Sequence, residues 1–284
     1  MSENRKVPEY LYHYTSINIL AYILKDKQFR FSSLPLLDDK EEAVIFGDEE
    51  WTKYCFVSAW TDEERESIPM WKMYSGNMNG VRIRLPSQLF PQYPITYKDI
   101  CGITSDLMGL KIDCSAVSDD IVYYSPIPLP KLLNANYSFW IPPNCVTLTK
   151  MIYGNKEERI RPKVTRNTKP GVTLYLEKAG KYKRDCWKFQ REWRYSVNIY
   201  PGPFTELFGH GPHTVNEVWD GLLKRPNLDF SYYYLKVDPA KFHDMEITLG
   251  PLSNPADRDI VELLCKQHNS CAKIKDSELK DKIR

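Results

Sequence analysis

Residues 187–197 read Trp187-Lys188-Phe189-Gln190-Arg191-Glu192-Trp193-Arg194-Tyr195-Ser196-Val197. From Trp193 onward Trp193, Tyr195, Val197 and Ile199 fall on one side and Arg194, Ser196 and Asn198 on the other, the period-2 pattern of a half-buried strand. Gln190 and Glu192 continue the polar side at the strand's entrance, so an amide and a carboxylate point together into whatever cleft that side lines. A carboxylate held between two tryptophans, with water excluded, is poorly screened and suits a cationic transition state. The plainer reading is an edge strand with a solvated Glu and an Arg partner, since exposed pairs of this kind are common and weak.

Working outward, residues 11–16 predict a strand that runs into a helix capped by Thr15 or Ser16, with Ile17, Leu20, Ile23 and Leu24 as its apolar stripe. Residues 29–32, 55–60 and 81–85 read as further strands. The acidic run 38–42 predicts a helix start, and 70–76 predicts one or two helical turns closed by Gly76. Between about 86 and 170, prolines and tyrosines blur the pattern; this segment reads as an elaboration of the core, with strands at 121–124 and 147–153. Residues 174–187 predict a helix that delivers the chain to the opening strand. Beyond it come a strand at 232–237, a helix restarted by Pro239, a last strand at 245–250, an amphipathic helix at 257–267 and a frayed, charged tail from Lys273. Residues 1–284 together predict a single α+β domain.

The formal charge of +2 over 284 residues argues against a whole-surface grip on nucleic acid or an anionic membrane. Residues 150–194 are the exception, with 14 Lys/Arg against 5 Asp/Glu; with Tyr175, Tyr182 and Trp187 interleaved, they leave room for nucleic acid. The seven cysteines (55, 101, 114, 145, 186, 265 and 271) contain no C-x-x-C pair. That argues against a disulfide framework or zinc ribbon and predicts a reducing, cytoplasmic setting. No apolar stretch reads as a signal peptide or membrane span. His210-Gly211-Pro212-His213 lacks a nearby Cys or acid and reads as a loop, so no metal is expected.

Four separated pieces, His13-Tyr14-Thr15, Ser58-Ala59-Trp60, Met70-Trp71 with Tyr74, and Gln190-Arg191-Glu192-Trp193-Arg194, together resemble a bacterial family of unknown function. That family is marked by Leu-Tyr-His-Tyr-Thr-Ser, Met-Trp-x-x-Tyr, Glu-x-Glu-Trp-Arg and a closing Ile-x-Leu-Gly-Pro, and it looks like a branch of the ADP-ribosyltransferase-like superfamily. The resemblance implies a core of two packed, mainly antiparallel sheets with flanking helices and a central insertion. It implies NAD as substrate, with His13 bonding a ribose hydroxyl and the Tyr14 backbone meeting the nicotinamide amide. Thr15 follows as in the relatives, Ser58 is a cleft candidate, and Tyr74 or Trp71 supplies the ring on which nicotinamide stacks. Glu192 matches the catalytic carboxylate. Gln190 stands where the family usually has Glu; it can orient an acceptor but cannot take its proton, which leaves an amide, a hydroxyl or a nucleobase open. The family's Asn-Asp-Pro-x-x-Glu is altered here to Asp38-Asp39-Lys40-x-Glu42.

The expected function is therefore ADP-ribosyl transfer from NAD to a macromolecule, protein or nucleic acid, in a toxin or phage-defence role that related families suggest. Two alternatives stand beside it. One is a nucleotide- or RNA-binding module that uses Lys181, Lys183, Arg184 and Lys188 for phosphates; the other is NAD hydrolysis without an acceptor.

Overall fold

The computed structural model describes residues 6–45, 49–108, 113–132, 136–139, 145–167, 172–202, 224 and 226–283. The His210 to His213 turn lies outside them. Strand β1 (Tyr10–Thr15) ends at Ser16, whose side chain accepts from the Ile19 amide and caps helix α1 (Ile17–Asp26). Helix α1 buries Leu20, Ile23 and Leu24, and Lys27 ends it in the left-handed conformation at φ 50°. The chain then reverses into β2 (Gln28–Ser33), followed by β3 (Cys55–Thr61), α2 (Ile68–Tyr74) and β4 (Val81–Pro86).

In the elaboration, β5 (Tyr93–Thr96) and β6 (Ile121–Ser125) pair with each other around α3 (Tyr97–Met108). After α4 (Leu129–Leu132), β7 (Tyr137–Phe139) and β8 (Val146–Lys150) return to the main sheet. Short pieces follow: β9 (Ile152–Tyr153), α5 (Glu157–Ile160), β10 (Thr165–Asn167), β11 (Val172–Leu174) and β12 (Tyr182–Lys183). The chain then enters β13 (Glu192–Pro201). It closes with β14 (Tyr232–Lys236), α6 (Pro239–His243), β15 (Glu246–Leu249), α7 (Pro255–His268) and β16 (Lys273–Lys275).

This mixed α+β architecture centres on a mainly antiparallel sheet in the order β14-β2-β3-β1-β4-β15-β16, to which β13 adds through β3. Strand β13 is central: Glu192 to Asn198 pair with β3 on one edge, and β8 and β7 take the other edge. The plain edge-strand reading is thereby corrected. The opposite edge of β3 is divided, because Ser32 and Ser33 of β2 pair with Val57 and Phe56 whereas β1 touches it only at Tyr12 and Thr61. Among the described residues, Ser58 to Trp60 have no ladder partner on that edge. Strands β1 and β2 splay apart there, and the site forms in the gap.

Both sheet faces are covered. Trp193, Tyr195, Val197 and Ile199 join Phe29, Phe31, Phe56 and Trp60 in the main core, as the alternation predicts. Cys55 and Val57 face a second cluster with Trp51, Tyr54 and Leu176. Ile127, Leu132 and Phe139 of the elaboration are buried in the main core, so it shares the hydrophobic interior of the rest.

Four local expectations are corrected. Residues 174–187 are not a helix: two 3-10 turns, Leu176–Lys178 and Asp185–Gln190, flank β12, and Gly180 at φ 66° interrupts any helical path. The acidic run yields only a 3-10 turn, Lys40–Ala43, with Asp39 accepting from the Glu41 amide. The strand at 245–250 is not the last, and the tail is not frayed, because β16 pairs with β15 and Glu66 accepts hydrogen bonds from the Glu278 amide and the Ser277 hydroxyl. Beside these, Cys101 and Cys114 form one disulfide in the elaboration, while Cys55, Cys145 and Cys265 are buried thiols. No helix among the described residues is long and apolar enough to cross a membrane.

The closing Gly-Pro has a steric explanation. A Cβ on Gly250 would sit 2.2 Å from the Met78 carbonyl oxygen, and the Gly250 amide donates to the Gly80 carbonyl at 2.8 Å. Gly250→Ala is expected to cost about 1–3 kcal/mol by overpacking, read as a lower urea midpoint. An unchanged midpoint would mean that the Met78 loop yields freely.

Candidate functional site

The approach to β13 sets the site. Gln190 ends a 3-10 turn and Arg191 is left-handed at φ 44°. Arg191 points away, its guanidinium on Asp62 at 2.7 Å and Glu63 at 3.0 Å. Gln190 and Glu192 are both buried and meet at Lys183, whose ammonium donates to Gln190 Oε1 at 2.7 Å and Glu192 Oε2 at 3.0 Å. Its third partner is Glu42, at 2.9 Å. Arg194, on the same face of β13 as Glu192, donates through Nε to Glu192 Oε1 at 2.5 Å, pairs with Glu42, and reaches the Gly180 carbonyl at 3.0 Å. Two acids and two cations thus alternate in a buried square.

The square fixes the ionisation of Glu192. Burial alone would raise its pKa, but the charges of Arg194 and Lys183 outweigh burial and hold the carboxyl below its usual range. For Glu42 burial wins, and its pKa lies above the usual range despite Arg194 and Lys183. Because Lys183 can only donate, Gln190 must turn its oxygen toward the ammonium, and its Nε2 donates to the Tyr74 hydroxyl at 2.6 Å. Burial raises the Tyr74 pKa, so the phenol stays protonated.

His13 comes from β1. Its ring lies 5.0 Å from that of Trp60 and edge-on to Phe29 at 5.7 Å. Nδ1 donates to the Ala59 carbonyl at 2.9 Å, filling the unpaired edge of β3. Burial, with Arg30's charge adding, lowers the His13 pKa against the effect of that bond. The imidazole is therefore neutral at pH 7, with Nε2 as an acceptor. His13, Tyr74, Gln190 and Glu192 border one cavity together with Asp38, Asp39 and Trp187. A larger cavity of about 710 Å³ adjoins it, sharing His13, Tyr14, Asp38, Ala59 and Tyr74 and adding Thr15 and Ser58.

No family model, curated protein or solved structure matches this chain. What the cleft can do must therefore be argued from its own residues.

Seven of the eight candidates border this continuous cleft; Trp71 does not. It is fully buried against Tyr14, Met70 and Met78, with Nε1 donating to Glu66 Oε2 at 2.9 Å. Tyr14 borders the cleft, yet its hydroxyl accepts from the Ser67 amide at 3.2 Å, and the Ser58 hydroxyl accepts from Trp60 Nε1 at 3.2 Å. The expected result of Trp71→Phe is a stability loss of about 1–3 kcal/mol from the lost charge-assisted hydrogen bond to Glu66, which keeps its Ser277 and Glu278 donors, with cleft chemistry unchanged. Comparing unfolding midpoint with turnover checks it.

Two of the four residues of the phosphate-binding alternative are occupied, because Lys183 is enclosed in the square and Arg184 is held by Glu41 and Glu157, which leaves Lys181 and Lys188 to it. Lys150 and Arg191 are likewise spent on Asp62. The basic count of 150–194 thus overstates the charge offered to a polyanion. Sequence reasoning did not place Glu42 and Arg194 in the site. The altered Asp38-Asp39-Lys40-x-Glu42 segment was the signal for the first, and the i, i+2 relation to Glu192 for the second.

Proposed function

We propose that this protein is an NAD-dependent ADP-ribosyltransferase. On this reading the divided edge of β3 separates two half-sheets, and the nicotinamide riboside of NAD sits in the cleft between them. The observation that carries the reading is the meeting of His13, Tyr74, Gln190 and Glu192, from three remote parts of the chain, around one cavity.

In this mechanism His13 Nε2 accepts from a ribose hydroxyl and the Tyr74 ring backs the nicotinamide. The C1′–N bond breaks with its electron pair leaving on nicotinamide, and the sugar passes through an oxocarbenium-like state. Glu192 is ionised in advance, so it stabilises that cation without reorganising. The wider cleft agrees: its lining holds Asp26, Asp38, Asp39, Glu42 and Glu192 against Arg30, Lys183 and Arg194, an excess of negative charge. An acceptor lone pair then closes on C1′ and the acceptor's proton passes to solvent. Gln190 cannot accept that proton, which favours an amide, a hydroxyl or a nucleobase over arginine.

The test is incubation of the full chain with NAD and quantification of free nicotinamide, with mass spectrometry of the products to separate transfer from hydrolysis. Absence of nicotinamide release with every acceptor class would sink the reading.

A further inference from the structure

Arg30 lies mid-way along β2, where Phe29 and Phe31 are buried in the core and Gln28, Arg30 and Ser32 alternate with them. All three border the larger cavity. The Arg30 guanidinium stands 4.7 Å from the centroid of the Tyr232 ring on β14, and its register partner there, Tyr234, borders the same cavity. Stacking on an aromatic face leaves the planar N–H fork free and restricts its orientations.

Of the three permanent cations along the cleft, Lys183 and Arg194 are neutralised inside the buried square. Arg30, among the described residues, has no carboxylate at ion-pairing distance. An anionic ligand group entering this otherwise acidic cleft has one place where its charge is met. The two cavities share His13, so a ribose held at Nε2 in the smaller one lies beside the larger, into which its 5′-substituent has room to extend.

We infer that Arg30 binds the diphosphate of the dinucleotide, gripping two of its oxygens through the guanidinium fork, and so sets the orientation in which NAD enters the cleft. The inference rests on the reading of the cleft as an NAD site and adds the residue that recognises the anionic half. Arg30 contacts the diphosphate and not the breaking bond in this arrangement, so its contact is the same in ground and transition states and affects binding, not the chemical step.

The experiment compares the native chain with Arg30→Met, which keeps the stem and drops the charge, and Arg30→Lys. The expected result for Arg30→Met is a KM for NAD raised about 10- to 100-fold, the range for one charge-assisted contact, with kcat within about twofold. Calorimetric affinity for ADP should fall in parallel while that for adenosine holds, and Arg30→Lys should recover part of the loss. Native turnover of NAD with Arg30→Met showing unaltered KM and ADP affinity overturns the Arg30 assignment and leaves the transferase reading standing. A native chain that binds neither NAD nor ADP overturns both.

Discussion

Glu192→Gln is expected to slow nicotinamide release by on the order of 10²- to 10³-fold or more, the usual cost of removing one preorganised electrostatic contact to a transition state. The substitution is nearly isosteric and keeps an oxygen for Arg194 or Lys183, but it removes the charge that faces the departing base. Since Glu192 is buried and doubly ion-paired, the variant could lose activity by losing structure. Glu192→Asp separates the two causes: it keeps the charge within the square and withdraws it by one methylene, so a folded Asp variant should still be slow. Thermal unfolding and ADP-ribose affinity, measured beside the rate, show whether the cleft persists. Native-like release from a folded Glu192→Gln protein would end the case for this carboxylate as the transition-state partner.

Where the sequence was readable, local periodicity carried the signal. The alternation after Trp193 placed four side chains in the core correctly, and Ser16 caps α1 as its position before an apolar stripe implied. Gln190 and Glu192 do share a site, but not through the pleat of one strand: Gln190 lies in a 3-10 turn, and the left-handed Arg191 between them turns both inward. A period-2 count reached the right neighbourhood by a path the backbone does not take. The failures lie where long-range pairing decides. Nothing local in Lys183 or Arg184 distinguishes a phosphate ligand from the partner of a carboxylate more than 100 residues away, and only the sheet brings Glu42 to Lys183. Trp71 and Tyr74 are spaced alike for core or cleft on α2; the Glu66 bond draws one inward and Gln190 meets the other. The 174–187 segment has helical composition, and one glycine at positive φ overrides it. The tail is charged, yet Glu66 and the β15 edge give it partners that composition cannot show.

Lys183→Met is expected to destabilise the fold by about 3–5 kcal/mol, the cost of leaving a buried charge without its partner. The ammonium has its three donors on Gln190, Glu192 and Glu42, and it lies 4.8 Å from the Trp187 ring centroid. Methionine fills the stem's volume and leaves two carboxylates to share Arg194. Glu42, already pushed above the usual carboxyl range by burial, should respond by rising further. A Glu whose folded pKa exceeds its unfolded value binds a proton on folding, so the native state is penalised above the folded pKa and the penalty disappears below the unfolded one. The stability gap between native and Lys183→Met proteins should therefore be widest at neutral pH and narrow as pH falls toward the ordinary Glu range. Adding Glu42→Gln removes the excess charge directly and should restore most of the loss at pH 7, giving a coupling energy well above the 0.5 kcal/mol expected of independent sites. Equal urea midpoints for the native and Lys183→Met chains at pH 7 would mean that Arg194 alone satisfies both acids. Glu192 would then owe neither its ionisation nor its position to Lys183, and the amide of Gln190 would be free to turn either end toward the cleft.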